Sequence, residues 1–542
     1  MSKLNNIEVS RQILSNRQVF LLEAGIIVGL AIVPLFFSFP YRVNIFLSWE
    51  GAYRLSEGQI PYKDFGMPLG FIFWVVPAIF FKIFGPYLIS LIKAQVLINI
   101  ISGFTFRSIF KTVGINPGLR LIAVLMFCIS YSFFNFWPWY NHTVTVWGFV
   151  GLSFLLKYLR KDQKNIALLL ASSLFYTLSF FTKQDGGGLA IVLGLALLIY
   201  YTIAQRNFKS VLFFTAFLTG FFCLMIVPFL PFDFGYWFNY GQFPHYSRFS
   251  LSDVIGEFLS NSSWIKFYVL IIIVILLVKV KDIKAFFWDE NEMIFLLLTV
   301  GILVQAAIFQ VTSYTPPDNN IFFHSFAFAY ILSNLQLSIN FQQVSRMAIL
   351  AGLVMLWWSG VYWKYIDRVL TRVFPKSEEV DPNVVSRHTY VISTDTTIDD
   401  SAWKFSGIEV FKRIYMPEPT VEGINKVLDL NVVKEKDDLR VLNMSELTPL
   451  AYAMNYKLEV GDNYPLWYHK GVSMFDREEE KIIQKIENQY YDLVLFEYIP
   501  FLNNFYPFNV RDALLKHYQK TDEFLAPRRP TNVNIEVYVK KE

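Results

Sequence analysis

Long apolar runs, separated by short polar loops, occupy the first two thirds of the chain. Eleven of them approach the about 20 residues that an α-helix needs to cross the hydrocarbon core of a bilayer. They lie at 19–39, 87–106, 119–136, 143–159, 166–182, 186–205, 210–231, 265–280, 292–312, 321–340 and 347–365. The pattern predicts an α-helical polytopic membrane protein with a transmembrane domain at 19–366.

A twelfth apolar run, at 68–84, is shorter and contains Pro77 and Lys82. Loop charge decides whether it crosses, because cytoplasmic loops carry an excess of Lys and Arg. If 68–84 stays on the outer side, one alternating set of loops holds 16 basic residues and the opposite set holds 6. The set with 16 basic residues then lies in the cytoplasm, together with residues 1–18. This orientation makes 40–86 the first outer loop and places the C-terminus outside.

From about Val380 the pattern changes to short apolar strands that alternate with amphipathic helices. Such alternation is typical of an α/β domain with a largely parallel sheet. We therefore predict a linker at 367–379 and an extracytoplasmic α/β domain at 380–542, which is long enough for a core of its own.

Composition supports a membrane protein and excludes other classes. Hydrophobic residues make up 54% of the chain and charged residues only 17%, whereas soluble domains are about 25% charged. The net charge of +4 is too small to indicate a nucleic-acid partner. Cys128 and Cys223 both fall in apolar runs, where a thiol is usually a packing residue, so they do not reveal the redox compartment.

The loops assigned to the outer side carry a concentration of polar and aromatic side chains. The first loop holds Glu50, Arg54, Tyr62, Lys63 and Asp64. The later outer loops hold Tyr140, Asn141, His142, Lys183, Gln184, Asp185, His245, Arg248 and Tyr314. The histidines lack the spacing of metal ligands, so we expect no metal and no cofactor, although a divalent cation stays open.

Lys183 begins the segment KQDGGG, where an acid and a glycine run follow at once. Backbone N–H groups of such a run can approach a phosphate closely. The simpler interpretation is a lysine that extends its charge to the membrane surface. For Glu50 the alternative to a functional role is an ordinary solvated acid.

Four segments together resemble a known superfamily. They are LSEGQIPYKDF (55–65), PLGFIFWVVPAIFFKIFGPYLISL (68–91), WYNHTVTVWGFVGLSFLLKYL (139–159) and LSFFTKQDGGGLAIVLGLALL (178–198). In this order they are similar to the C-type (GT-C) membrane glycosyltransferases, which include protein O-mannosyltransferases and aminoarabinose transferase. The resemblance covers roughly residues 20–210.

The resemblance implies an inverting enzyme that takes its sugar from a polyprenyl-phosphate donor at the outer face. Its partners would then be that donor, a lipid, glycan or protein acceptor, and the bilayer. An acid of the first outer loop acts as general base in the family, which indicates Glu50 in W-E-G-x-Y. Glu50 stands only eight residues before Gly58, however, instead of the usual thirteen or so, and Asp64 is therefore the second candidate.

The chemistry assigns the remaining polar residues to two groups. A departing phosphate needs cationic or N–H donors, which Lys183 can supply with help from Arg54, Lys63 or Arg248. The other group would bind substrate: Tyr62, Tyr140, Asn141, His142, Gln184, Asp185, His245 and Tyr314.

Other functions remain as alternatives. A surface-polysaccharide polymerase or ligase would have a similar sequence. A lipid-linked-glycan flippase or transporter would instead place ionisable residues at mid-membrane depth, which these runs largely lack. In the C-terminal domain, YPLWYHKG at 464–471 can face the catalytic cavity and help select the acceptor, or form an ordinary surface turn. We expect the bacterial inner membrane as the location.

Overall fold

The computed structural model describes most of the chain, with gaps at both termini and in several loops. The described residues are 13–42, 44–134, 136–160, 165–232, 234–237, 251–312, 322–335, 337–360, 362–363, 366, 370, 403–460, 464–466, 474–500, 508–527 and 533–541.

Helices dominate the described part before residue 360. They are α1 (Asn16–Ile32), α2 (Ile45–Ser56), α3 (Ile72–Phe84), α4 (Leu88–Thr112), α5 (Pro117–Phe134), α6 (Tyr140–Arg160), α7 (Ile166–Phe180), α8 (Gln184–Gln205), α9 (Lys209–Ile226), α10 (Phe234–Trp237), α11 (Leu251–Asn261), α12 (Ser263–Lys279), α13 (Ile283–Trp288), α14 (Glu290–Thr312), α15 (Phe322–Asn334) and α16 (Val344–Trp357). A Ser-x-x-Gln capping box starts α1, where Ser15 and Gln18 satisfy each other's backbone N–H groups.

Among these residues, five helical segments are long and apolar enough to cross a membrane. They are Asn16–Phe36, Leu88–Thr112, Gln184–Gln205, Lys209–Phe232 and Glu290–Thr312. A sixth candidate consists of α11 and α12, which meet at a bend of 83°. Further apolar helices are shorter, and α3 is one of them. The chain is thus an integral membrane protein, whereas the eleven spans and the orientation stay predictions.

Tight contacts between helices position the membrane part. The Phe106 and Phe127 rings stack with centroids 4.2 Å apart, joining α4 to α5. Glu23 of α1 is buried and accepts hydrogen bonds from Arg107 Nε at 2.5 Å and Arg120 Nε at 2.6 Å. Because one carboxylate binds both guanidinium groups, α1, α4 and α5 are held at one point.

The first loop folds into two short helices. At 13 residues, α3 is about 20 Å long at 1.5 Å per residue, less than the about 30 Å of a bilayer core. This length agrees with a run that does not cross. The indole N–H of Trp74 in α3 donates to the Leu47 carbonyl of α2 at 2.8 Å. A Cβ on Gly51 would lie 2.0 Å from the Trp74 ring, so only glycine permits this contact between α2 and α3.

The C-terminal region contains a four-stranded sheet with helices. Its strands are β5 (Val441–Met444), β7 (Leu493–Tyr498), β8 (Tyr518–Leu525) and β9 (Asn534–Lys540), in the order β5-β7-β9-β8. Its helices are α17 (Glu418–Asp429), α18 (Asn431–Glu435), α19 (Leu450–Ala453), α20 (Met474–Glu487) and α21 (Phe508–His517).

The expected α/β architecture is present, but the expectation of a largely parallel sheet is wrong. Only β5 and β7 are parallel, whereas β7–β9 and β8–β9 are antiparallel. The physical reason is that β8 begins at Tyr518, directly after α21, and returns to β9 through a hairpin instead of a helical crossover. The predicted boundary at 380 and the linker lie outside the described residues.

Two short parallel pairings join the first loop to the C-terminal region. Strand β1 (Phe39–Pro40) pairs with β4 (Ile414–Pro417), whose other edge pairs with β3 (Trp403–Phe405). Strand β2 (Phe65–Gly66) pairs with β6 (Tyr464–Pro465). A single hydrophobic core contains residues of both parts, including Trp49, Trp74, Phe411, Leu447 and Leu495. The first loop and the C-terminal region therefore form one packed unit.

Candidate active site

Glu50 and Arg54 form a buried ion pair on one face of α2. Their spacing of four residues places both side chains on the same side of the helix. Arg54 donates to Glu50 Oε1 from Nε at 2.9 Å and from an Nη atom at 2.8 Å. The two side chains are only 1% and 7% exposed for Arg54 and Glu50. Two hydrogen bonds thus hold one oxygen of the carboxylate in a largely water-free place.

Further contacts fix the guanidinium. It donates to Gln59 Oε1 and to the backbone carbonyl of Glu459, each at 2.8 Å. It also lies 4.7 Å from the centre of the Tyr464 ring. Because four of its five N–H groups are engaged, Arg54 is placed to orient Glu50, and the expected phosphate contact would compete with these bonds.

The second carboxylate oxygen of Glu50 is available. Oε2 makes no hydrogen bond within the described part of the chain, and Glu50 lines a cavity of about 260 Å³. Burial raises the pKa of Glu50, and the neighbouring Arg54 opposes this shift without cancelling it. A carboxylate with a raised pKa and an accessible oxygen can remove a proton from a hydroxyl group.

Lys183 and Asp185 form a second buried ion pair where α8 begins. The Nζ–Oδ2 distance is 2.8 Å, and the side chains are 2% and 1% exposed. The Lys183 ammonium also lies 5.7 Å from the Tyr140 ring centre and 4.9 Å from that of Phe309. Asp185 Oδ1 accepts the N–H of Gly186 at 2.7 Å, as suits an acid in the first turn of a helix.

The glycine run serves helix packing in this structure. A Cβ on Gly187 would lie 2.3 Å from the Cα atom of Phe180, so α8 and α7 approach at backbone distance. The N–H of Gly187 donates to the Lys183 carbonyl within the first helical turn. The glycine run thus forms the first turn of α8, and its contact with a phosphate stays a prediction.

An apolar cavity of about 460 Å³ lies beside the Lys183 pair, between α6, α8 and α14. Gly186 and Phe309 line it, and Phe309 also faces the Lys183 ammonium. Thr145 and Gln305 are among its few polar lining residues. A charged group thus adjoins an apolar space within the membrane domain.

Helix α3 connects the two ion pairs. Its Trp74 packs on α2, and the neighbouring Phe73 ring lies 5.8 Å from the Tyr140 ring. The N–H of Ile72 donates to the Phe181 carbonyl at 3.2 Å, two residues before Lys183. Glu50 and Lys183 are thus held by the same short helix, each with its own counter-ion.

The other first-loop residues have structural partners. Asp64 Oδ2 accepts the N–H of Ile60 at 2.7 Å and closes a turn. Tyr62 is buried among aromatic rings, and its hydroxyl donates to the Leu69 carbonyl at 2.9 Å. Lys63 is exposed, with its ammonium 5.9 Å from the Phe232 ring centre.

The remaining predicted site residues divide into two groups. Asn141 and His142 lie in the first turn of α6, and Gln184 begins α8 beside Lys183. The side-chain oxygen of Asn141 and both polar atoms of Gln184 are buried without a hydrogen-bond partner among the described residues. His245, Arg248 and Tyr314 lie outside the described residues.

The structure adds C-terminal residues that the sequence did not assign to the site. Asn443, Thr448, Tyr456 and Tyr464 line the Glu50 cavity. Only Tyr464 carried a signal, as the first residue of the aromatic segment singled out above. In the described residues, no three His, Cys, Asp or Glu side chains come together in a way that could hold a metal ion.

Comparison with solved structures identifies the architecture. The crystal structure of apo ArnT from Cupriavidus metallidurans matches with a TM-score of 0.51 at 10% identity, over 96% of this chain and 97% of that chain. The chain has the C-type glycosyltransferase fold. The fold that the four sequence segments implied is therefore confirmed.

Two further solved structures are similar at lower scores. ArnT bound to undecaprenyl phosphate gives a TM-score of 0.46 at 11% identity, over 96% of this chain and 97% of that one. The arabinofuranosyltransferase AftD from mycobacteria gives 0.45 at 12% identity, over 97% of this chain and 42% of that one. No protein-family model matches the chain, and no curated protein matches it significantly.

Proposed function

We infer that the protein is a membrane glycosyltransferase. It moves a sugar from a polyprenyl-phosphate donor to a hydroxyl group of a lipid, glycan or protein acceptor, with inversion at the anomeric carbon. The observation that carries this proposal is Glu50. It is a first-loop carboxylate in a C-type fold, it has a raised pKa, and it lines a cavity.

Glu50 is assigned the role of general base. The hydroxyl oxygen of the acceptor attacks the anomeric carbon while Oε2 of Glu50 accepts the hydroxyl proton. The bond between the anomeric carbon and the donor phosphate breaks in the same step. Arg54 holds Oε1, so the free oxygen has a defined direction. Asp64 is less suited to this role because its Oδ2 is engaged in a local turn.

Lys183 is assigned to the donor phosphate. Its ammonium binds Asp185, which holds this positive charge in a fixed place beside the apolar cavity, where it can attract the phosphate of the donor. The adjoining cavity is lined mostly by apolar side chains, which are compatible with the apolar chain of the donor. We place the reaction at the outer face of a bacterial inner membrane, with the C-terminal domain on the same side.

The test uses membranes that contain the full chain and a panel of synthetic polyprenyl-phosphate pentoses and hexoses. The readout is release of polyprenyl phosphate. We expect Glu50→Gln to lower the rate about 10²–10⁴-fold, the range for loss of a general base. Asp64→Asn keeps the turn acceptor and is expected to remain near wild type. Full activity of Glu50→Gln, or no release from any donor by wild type, would overturn the proposal.

A further inference from the structure

Positive charge exceeds negative charge at the end of the helix bundle where α1 and α5 begin and α4 ends. Glu23 is the only acidic residue of these three helices. Arg107 and Arg120 share its carboxylate, and two positive charges against one negative charge leave this largely buried triad with a net charge of +1. Arg17 and Lys111 are exposed at the same end and form no ion pair within the described part of the chain. The surplus charge favours an anionic ligand.

Arg107 is the member of the triad that keeps hydrogen-bond donors. Its Nε donates to Glu23, whereas its two terminal nitrogens make no hydrogen bond to any of the described residues. Arg120 instead binds both oxygens of the same carboxylate, at 2.6 and 3.3 Å. The Arg107 side chain is 14% exposed, twice the 7% of Arg120. Because a guanidinium group can bind two phosphate oxygens through its planar fork of donors, Arg107 is suited to a phosphate group.

The surface next to Arg107 is apolar. The guanidinium carbon lies 4.5 Å from the centre of the Phe20 ring, which is 41% exposed. Leu21 and Val28 of α1 are exposed as well, as expected of a helix that contacts lipid chains. A soluble anion would match the charge of this surface but not its apolar part. A molecule with an anionic headgroup and hydrocarbon chains matches both.

We propose that Arg107 binds the phosphate group of an anionic phospholipid, whose chains lie along the exposed apolar face of α1. Lys111, one helical turn further along α4, adds a second positive charge near the headgroup. Loop charges place this end of the helices in the cytoplasm, and basic sites between helices on that side are suited to anionic headgroups. The predicted topology puts Lys183 on the opposite side of the membrane, so the lipid site does not depend on the proposed reaction.

The first experiment measures which lipid the purified full chain retains in detergent. The probes are dioleoylphosphatidylglycerol, which is anionic, and dioleoylphosphatidylcholine, which has the same chains and a phosphate group but no net charge. Native mass spectrometry counts the lipids that stay bound. We expect wild type to retain phosphatidylglycerol at least about 5-fold better, and Arg107→Gln to lower this preference about 5-fold, because one basic side chain near an anionic headgroup contributes about that factor.

Two further variants test whether the site or the overall charge selects the lipid. Arg107→Lys keeps the positive charge and should retain most of the preference. Lys281→Gln is the matched control, since this lysine is exposed between α12 and α13 and forms no ion pair among the described residues. It should match wild type. A loss in Lys281→Gln equal to that in Arg107→Gln would show that overall charge selects the lipid, and would overturn the proposal.

A stability measurement separates lipid binding from folding. Arg107→Gln leaves Glu23 paired with Arg120, so we expect this variant to fold. A ligand that binds only the native state raises the melting temperature, so phosphatidylglycerol should stabilise wild type more than Arg107→Gln. If Arg107→Gln melts lower without lipid but gains as much from phosphatidylglycerol as wild type, Arg107 is purely structural and the inference is wrong.

A competition experiment distinguishes a lipid from a soluble phosphate. Inorganic phosphate in large molar excess should leave the retention of phosphatidylglycerol nearly unchanged, because it lacks the hydrocarbon chains. Displacement of the lipid by inorganic phosphate would assign the site to a soluble anion and refute the lipid. Equal retention of phosphatidylglycerol and phosphatidylcholine by wild type would refute an anionic site altogether.

Discussion

Removing the charge of Arg54 should destabilise the protein strongly. Arg54→Met keeps most of the side-chain volume but leaves Glu50 buried without its counter-ion. It also removes the hydrogen bonds to Gln59 and to the Glu459 carbonyl. Breaking a buried pair in this way costs about 3–5 kcal/mol, whereas exposed pairs contribute about 0–1 kcal/mol. With side chains that are 1% and 7% exposed, the Arg54–Glu50 pair belongs to the buried pairs.

The assay is SDS-induced unfolding in mixed micelles, followed by tryptophan fluorescence. Lys404→Met is the control, because the Lys404–Glu418 pair has side chains that are 59% and 37% exposed. It should change the free energy of unfolding by at most about 1 kcal/mol. The double variant Glu50→Leu/Arg54→Met removes both charges and should recover most of the loss, since apolar replacement of a whole buried pair is often neutral or stabilising.

Two results would refute this reasoning. One is a loss below about 1 kcal/mol for Arg54→Met, which would assign the pair to the solvent-exposed class. The other is a double variant as unstable as Arg54→Met alone. That outcome would show that the packing of the arginine, and not the unpaired carboxylate, accounts for the cost.

Three further predictions follow from the geometry. Because burial raises the pKa of Glu50, the ascending limb of the plot of kcat/KM against pH should lie above 4.5, the ordinary pKa of a glutamate. In Arg54→Met the limb should move to still higher pH, because the charge that opposes this shift is lost. A limb that does not move would exclude Glu50 as the base. Burial raises the pKa of Glu536, but hydrogen bonds from three side chains outweigh the effect of burial and lower this pKa to about 2. The free energy of unfolding should therefore fall as the pH drops from 4.5 towards 2. Glu536→Gln should remove this contribution to the pH dependence, which melting curves measure. Gly70→Ala would place a Cβ atom 1.7 Å from the Phe181 carbonyl oxygen and should lower the free energy of unfolding by about 1–3 kcal/mol. The control is Gly29→Ala, whose added Cβ would have no neighbouring atom within 4 Å and should leave the stability nearly unchanged.

Periodicity predicted much of the architecture. The run 186–205 corresponds to α8, 292–312 to α14, and the C-terminal segments to α20, β7 and β9. These elements follow from side-chain patterns along a single segment, which a sequence displays directly. The interpretation that 68–84 does not cross, which used Pro77, Lys82 and the loop charges, stays a prediction.

Contacts between distant segments were not predictable in the same way. The segment after α21, YQKTDEFL, lacks the alternation of apolar and polar residues that indicates a strand, yet it forms β8, because pairing with β9 outweighs local preference. The site shows the same limit. Glu50, Arg54, Lys183 and Asp185 stood out by residue type and position, but their pairing did not. The pairing of Glu50 with Arg54 required the helical spacing of α2, and the contributions of Thr448 and Tyr456 come from 400 residues further along the chain.

The pairings β1–β4 and β2–β6 have a consequence for biosynthesis. Residues 39–40 and 65–66 meet partners at 414–417 and 464–465, which the ribosome makes near the end of translation. Until those partners arrive, the loop that holds Glu50 has exposed backbone groups and half of a hydrophobic core. A nascent or truncated chain would thus hold a carboxylate in open water, with an ordinary acidity. Activity would begin only when β4 and β6 dock on the first loop, and a product that ends before them would be inactive.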